Sequence, residues 1–172
     1  MLKADLCWCQ RSMNQTRYSA TGRQSKKSCP SRRWTEQSVV RCDVVAFDTN
    51  VLVRVLTGDD PVQTRKAERA LVEHASGEGI FVSLVVLAEL AWVLSAAYEW
   101  NRTTIQDRLS RLLRTRGISF EDLDLVESAL AQYRVGKADL ADYLVLGKAQ
   151  SVGADLLTFD KRLAQEEGVK LL

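Results

Sequence analysis

A short apolar run that ends abruptly in a carboxylate is the feature that most constrains this chain. Residues 44–50 are Val-Val-Ala-Phe-Asp-Thr-Asn, and apolar residues at helical spacing follow over 51–56. A β-branched and aromatic run of this length, followed by a helix, is typical of a buried parallel strand. Ligands of open α/β sheets bind outside the carboxyl ends of such strands. Asp48 is therefore a candidate for chemistry at a sheet edge.

Four further short apolar runs predict strands, at 80–82, 118–120, 155–159 and 169–172. The predicted helices cover 50–57, 61–74, 84–98, 103–115, 122–135, 138–150 and 161–167. Thr103 and Gln106 have the spacing of a capping box and predict the start of the fourth helix. Strands that alternate with helices, without hairpin signals, predict a mainly parallel sheet of four to five strands. We therefore expect a three-layer α/β/α fold.

The first 42 residues differ in composition from the rest of the chain. They carry nine basic and two acidic residues, a net charge of +7, and all four cysteines, whereas the remainder has a net charge of −5. They show no sustained helical or strand period, so we predict a disordered basic extension before a single domain at 43–172. A transit peptide, a nucleic-acid-binding arm and a zinc site are the functional alternatives. We favour a mis-assigned start, with the natural protein beginning near Val44 or Val45.

A domain without cysteine needs no oxidising compartment, and no secretory signal is visible, so we expect a cytoplasmic protein. The longest apolar stretch, 80–98, is long enough to consider as a membrane span. Glu89 lies in its middle, where a charge costs roughly 2.5 to 3.5 kcal/mol on insertion scales. A buried strand followed by a buried helix is the better interpretation, and we expect no membrane contact.

Acidic residues stand in four apolar settings along the domain. Asp48 and Asp160 each follow a predicted strand, Glu89 lies inside an apolar helix, and Asp139 and Asp142 share one face of a helix start. Clustered carboxylates repel one another unless a cation lies among them, and oxygen ligands favour Mg²⁺ or Mn²⁺. Taken singly, Asp48, Asp139 and Asp160 could each cap a helix and Glu89 could pair with an arginine.

Four motifs in order resemble those of PIN-domain ribonucleases, particularly VapC-type toxins. They are Phe47-Asp48-Thr49-Asn50-Val51-Leu52, Leu87-Ala88-Glu89-Leu90, Ala138-Asp139-Leu140-Ala141-Asp142-Tyr143 and Leu157-Thr158-Phe159-Asp160. The resemblance covers residues from about 44 to the C-terminus. It implies a Mg²⁺-dependent endoribonuclease that hydrolyses phosphodiester bonds of RNA.

The resemblance also implies the residues of the site. Asp48, Glu89, Asp142 and Asp160 would hold one or two Mg²⁺ ions, directly or through water. Asp142 matches the third acid better than Asp139, which is a second candidate ligand. Thr49 and Asn50 would orient Asp48 or a water molecule, with a helix-capping role as an equal alternative.

Basic residues near this site are candidates for contacts with RNA phosphates. Lys161 and Arg162 adjoin Asp160, and Arg108, Arg111 and Arg114 recur at helical spacing with Arg102 and Arg116 beside them. A solvated helix face is the commoner meaning of such an arginine run, and the same face could equally meet an acidic segment of a partner. Lys161 and Arg162 are better placed for contact with RNA.

PIN toxins are typically homodimers that a cognate antitoxin neutralises, so the resemblance implies both partners. The apolar Trp92, Tyr98 and Trp100 are candidates for such contacts or for core packing. A non-toxin RNA-processing nuclease and a catalytically silent PIN-like binding module are the alternatives. A haloacid-dehalogenase-type phosphatase would need a second aspartate where this chain has Asn50, and a receiver domain would need an acidic pair on an earlier strand.

Overall fold

The computed structural model describes residues 44–172, so the predictions for the basic extension at 1–42 lie outside it. All five predicted strands form, and some are shorter by a residue at one or both ends. They are β1 (Val45–Ala46), β2 (Ile80–Val82), β3 (Ile118–Phe120), β4 (Leu156–Thr158) and β5 (Val169–Leu171).

The strands pair only in parallel within the described part of the chain. β1, β2 and β3 form one sheet in that order, with Val45 opposite Ile80 and Ile80 opposite Ile118. β4 and β5 form a second sheet, with Leu156 opposite Val169. A helix-containing connection precedes each new strand, as parallel pairing requires. The predicted α/β fold of three layers is confirmed, with its five strands divided between two sheets.

Six α-helices connect the strands. They are α1 (Thr49–Thr57), α2 (Pro61–Ser76), α3 (Leu84–Ala96), α4 (Arg102–Leu113), α5 (Leu123–Val135) and α6 (Leu140–Ser151). The helix predicted at 161–167 is a single 3-10 turn, Leu163–Gln165. Local signals set most boundaries. For example, Asp60 accepts hydrogen bonds from the N–H groups of Val62 and Gln63, both at 2.9 Å, and Pro61 occupies the first helical position.

The capping box predicted at Thr103 is wrong. Asn101 caps α4, because its side-chain oxygen accepts hydrogen bonds from the Thr104 N–H at 2.9 Å and the Thr104 hydroxyl at 3.0 Å. Asn101 has the extended backbone that an N-cap residue needs, whereas Thr103 already lies inside the helix.

Among residues 44–172, the buried core residues come from all six α-helices and from β2, while Val45 of β1 is partly buried against them. In α3, Leu87, Leu90 and Leu94 are buried at one-turn intervals, and Tyr143 of α6 is fully buried. Ile80 and Val82 of the central strand are also completely buried. No helix in residues 44–172 is long and apolar enough to cross a membrane, and α3 itself has only thirteen residues.

Candidate active site

Asp48 lies immediately after β1 and caps α1. Its Oδ1 atom accepts a hydrogen bond from the backbone N–H of Val51 at 2.9 Å, and the residue is exposed. The capping role considered for Asp48 is therefore real. An ionised carboxylate has about four lone-pair sites on its two oxygens, so one capping bond leaves most of them available. Capping and metal binding are compatible at this position.

Glu89 is joined to the first motif by a hydrogen bond. The hydroxyl of Thr49 donates to Oε2 of Glu89, with 2.5 Å between the oxygens. Thr49 is buried, with 6% of its surface exposed, while Glu89 is on the surface of α3. Thr49 therefore orients Glu89, and its predicted role toward Asp48 or a water molecule stays a prediction. Asn50 is exposed, and its side chain makes no hydrogen bond with the described residues.

Asp139 and Asp142 lie at the start of α6. Asp139 is the N-cap residue, and its backbone N–H donates to Oδ2 of Asp142 at 3.0 Å. Both acids line a hollow of about 140 Å³ that also contacts Ala88 and Trp92 of α3. The first and second acids of this motif thus lie beside the helix that carries Glu89.

Tyr143, near the start of α6, contacts two residues outside that helix. Its hydroxyl donates to Oε1 of Glu166 at 2.8 Å and accepts from the N–H of Ala138 at 3.4 Å. Burial and the hydrogen bond with Glu166 raise the pKa of Tyr143, so it remains a protonated donor at neutral pH. A Cβ on Gly136 would lie 1.7 Å from the Tyr143 oxygen, so only glycine leaves room for it. The sequence offered no local signal for the partnership of Tyr143 with Glu166.

Arg102 fixes the loop that leads into Asp139. Its Nη1 donates to the carbonyl oxygens of Tyr133 at 2.7 Å and Ala138 at 2.9 Å, and Nη2 donates to that of Lys137 at 3.4 Å. The guanidinium also lies 4.1 Å from the centre of the Tyr133 ring. Backbone carbonyls therefore accept three hydrogen bonds from the five N–H donors of Arg102, and its contact with RNA phosphates stays a prediction.

Asp160 follows β4, as predicted. Its Oδ1 accepts the backbone N–H of Arg162 at 2.7 Å, and Nη2 of Arg162 lies 3.6 Å from Oδ2. The backbone hydrogen bond and the nearby guanidinium lower the pKa of Asp160, so it is ionised at neutral pH. Like Asp48, Asp160 accepts a hydrogen bond from a nearby backbone N–H and keeps unused lone pairs on its carboxylate oxygens.

The donor chemistry of these acids fits a hard divalent ion, because every candidate ligand is a carboxylate oxygen. The contacts connect α1 with α3 through Thr49 and Glu89, and α3 with α6 around Asp142. Within residues 44–172, however, no three acidic, histidine or cysteine side chains form a group that is ready to hold a metal. The shared metal site of Asp48, Glu89, Asp142 and Asp160 stays a prediction.

The candidate RNA-binding residues are on the surface. Lys161, Arg162, Arg108 and Arg111 are all exposed, and the Arg108 guanidinium lies 5.8 Å from the centre of a Trp100 ring. Their contact with RNA stays a prediction. Of the three aromatic residues considered for partner contacts, Tyr98 and Trp100 pack against the core, whereas Trp92 is 65% exposed.

Comparison with known proteins identifies the family of this chain. The family model for the PIN domain matches residues 45–167. A VapC ribonuclease of Aquifex aeolicus (strain VF5) is 26% identical over 118 residues, which are 67% of this chain and 87% of that protein.

Two solved structures are also similar to this chain. A toxin–antitoxin complex from Klebsiella pneumoniae has 26% identity and a TM-score of 0.29, with 73% of this chain and 95% of that chain covered. VapC20 of Mycobacterium tuberculosis, a toxin that cleaves the sarcin–ricin loop, has 16% identity and a TM-score of 0.34, with 71% and 93% covered.

Proposed function

The chain belongs to the PIN domain family, and from this premise we propose that it is a Mg²⁺-dependent endoribonuclease that hydrolyses phosphodiester bonds of RNA. The observation that carries the proposal is the hydrogen bond from Thr49 to Glu89, which joins the first and second acidic motifs across forty positions. The similarity to a VapC ribonuclease supports RNA as the substrate.

Asp48, Glu89, Asp142 and Asp160 would hold Mg²⁺ or Mn²⁺, directly or through water, with Asp139 as a further ligand candidate. When bound, the ion polarises the scissile phosphate and lowers the pKa of an attacking water. The protein's own residues set the acids in place. Thr49 fixes one oxygen of Glu89, and the capping bonds of Asp48 and Asp142 fix one oxygen of each of those acids.

We also propose that the protein is the toxin of a type II toxin–antitoxin pair and acts in the cytoplasm as a homodimer. Three apolar side chains of α3 and α6 support a partner surface, because Val85 is 75%, Trp92 65% and Val145 55% exposed. Trp92 lines the same hollow as Asp139 and Asp142. A protein that covers Trp92 would therefore approach these acids as well, which is the position an inhibitor of the site needs.

Induced expression in bacteria tests this proposal. We expect growth arrest together with new RNA ends, and we expect Asp48→Ala and Asp142→Ala to abolish both. New RNA ends without arrest would instead favour an RNA-processing nuclease that is not a toxin. Arrest that survives both substitutions would contradict the proposed mechanism.

A further inference from the structure

Lys66 of α2 shares a hollow with the first acidic motif. The hollow has a volume of about 320 Å³ and lies where α1 meets α2. Asp48 and Asn50 line one part of it, Lys66 another, and the nearby Phe47 is almost completely buried. A space of this volume is at the lower end of the range of small-ligand sites, roughly 300 to 1,000 Å³.

Two cations line this hollow, and they differ in whether a neighbouring side chain holds them. Arg54 also lines it, but that guanidinium is held by Asp59 at 2.5 Å and by Gln63 at 3.0 Å. Lys66 has no carboxylate within ion-pair distance among residues 44–172, and it makes no side-chain hydrogen bond there. The Lys66 ammonium is therefore the cation of the hollow that remains available to a ligand.

We propose that this hollow binds a phosphate of the RNA strand next to the scissile one, with the Lys66 ammonium and the Asn50 amide as donors. The inference rests on the proposed ribonuclease function. It assigns the path of the RNA strand to the side of Asp48 that faces Lys66 of α2. A polyanion that approaches acidic residues gains from a cation beside them, because the cation offsets their repulsion of the flanking phosphates. The partly buried apolar side chain of Val51 provides a surface for the sugar or base.

The neighbouring residue on α2 supplies a matched control. Arg65 has the same charge but lines a different hollow, together with Glu68, Arg69 and Glu73. The two side chains therefore point to different surfaces of one helix. A general loss of positive charge from α2 would affect both residues equally, whereas a specific phosphate contact requires Lys66 alone.

The test measures how the affinity for RNA depends on salt. Full-length protein with Asp142→Asn, which prevents cleavage, is titrated with a single-stranded RNA oligonucleotide at several KCl concentrations. Loss of one phosphate contact makes the negative slope of log K against log[salt] shallower by about 0.7. At 0.1 M salt this corresponds to a roughly fivefold loss of affinity. We expect this change for Lys66→Gln, little change for Arg65→Gln, and recovery with Lys66→Arg.

The outcomes separate this proposal from the function on which it rests. An unchanged slope with Lys66→Gln, or equal changes for Lys66→Gln and Arg65→Gln, would overturn the assignment of Lys66 while cleavage by the unaltered protein stands. Failure of the unaltered protein to cleave RNA would instead overturn the ribonuclease proposal and this one with it.

Discussion

The hydroxyl of Thr49 and the carboxylate of Glu89 form a hydrogen bond of 2.5 Å between residues that are forty positions apart. Thr49 begins α1, directly after Asp48, and Glu89 lies in the second turn of α3. Since Thr49 is buried and Glu89 is exposed, a buried hydroxyl holds one carboxylate oxygen of an acid on the surface. This bond aligns the first and second acidic motifs, which carry Asp48 and Glu89.

Replacing Thr49 with Val therefore tests whether the orientation of Glu89 matters. Valine keeps the shape of the side chain but has no hydroxyl, so Glu89 loses its partner. Loss of a residue that orients a metal ligand typically costs about 10- to 100-fold in activity or metal affinity. RNA cleavage rates measure the effect, and Thr49→Ser, which keeps the hydroxyl, should retain most activity. Wild-type cleavage by a folded Thr49→Val protein would show that the bond has no functional part.

Arg102 should stabilise the fold through its bonds to the loop before α6. Replacing Arg102 with Ala removes the donors to three backbone carbonyls, and hydrogen bonds to a charged group contribute roughly 1.5 to 3 kcal/mol each. We expect the free energy of unfolding to fall by about 2 kcal/mol or more, measured by urea denaturation. Arg111→Ala, at an exposed position of the same helix, should change it by less than about 0.5 kcal/mol. Equal effects at the two positions would contradict the role given to Arg102.

Asp59 should make the stability sensitive to acid. Hydrogen bonds from Tyr98 and Arg54 lower the pKa of Asp59 in the folded protein to about 2, from an ordinary value of 3.8. A carboxyl group with a lower pKa in the folded state stabilises the fold above its unfolded pKa, and this contribution is lost as the pH falls through the folded pKa.

Thermal unfolding of Asp59→Asn at several pH values tests the direction of this pH dependence of stability. The variant should be less stable than the unaltered protein at pH 7, and the difference should shrink between about pH 4 and pH 2. Asp155→Asn is the control, because Asp155 pairs only with Lys170 at an exposed position and such pairs contribute little. A difference that stays constant down to pH 2 would argue against the coupling of Asp59 with Tyr98 and Arg54.

Trp92 should matter for association and not for folding. With 65% of its surface exposed, Trp92→Ser should leave the circular dichroism spectrum unchanged. We expect the same substitution to shift a dimer toward monomer in sedimentation velocity, because it removes the largest apolar side chain of the exposed α3 surface. Val72→Ser, at a 67% exposed position of α2, should leave the dimer intact. A dimer that is insensitive to Trp92→Ser would place the interface elsewhere.

The strands and most helix ends were predictable because their signals are local. Asp60 followed by Pro61 marks the start of α2, and Gly58 ends α1 in the left-handed region with φ of 68°. The start of α4 was misjudged because Thr103 and Asn101 both fit a capping position, and only the backbone conformation decides between them.

The contacts between distant elements could not be predicted from one sequence. The partners of Thr49 and Arg102, and Glu166 as a partner of Tyr143, are 23 or more positions away, and periodicity contains no information on such pairs. The sequence did indicate which acids stand at the carboxyl ends of strands, because a buried strand that ends in aspartate is itself a local pattern. It could not show that Lys66 faces the same hollow as Asp48.

Cleavage of RNA by the purified full-length protein tests the central claim most directly. We predict that it cleaves RNA with Mg²⁺ and not with EDTA, that Asp48→Asn and Asp142→Asn lose the activity, and that Asp155→Asn keeps it. Equal cleavage by the unaltered protein and Asp48→Asn would show that the activity does not come from this site.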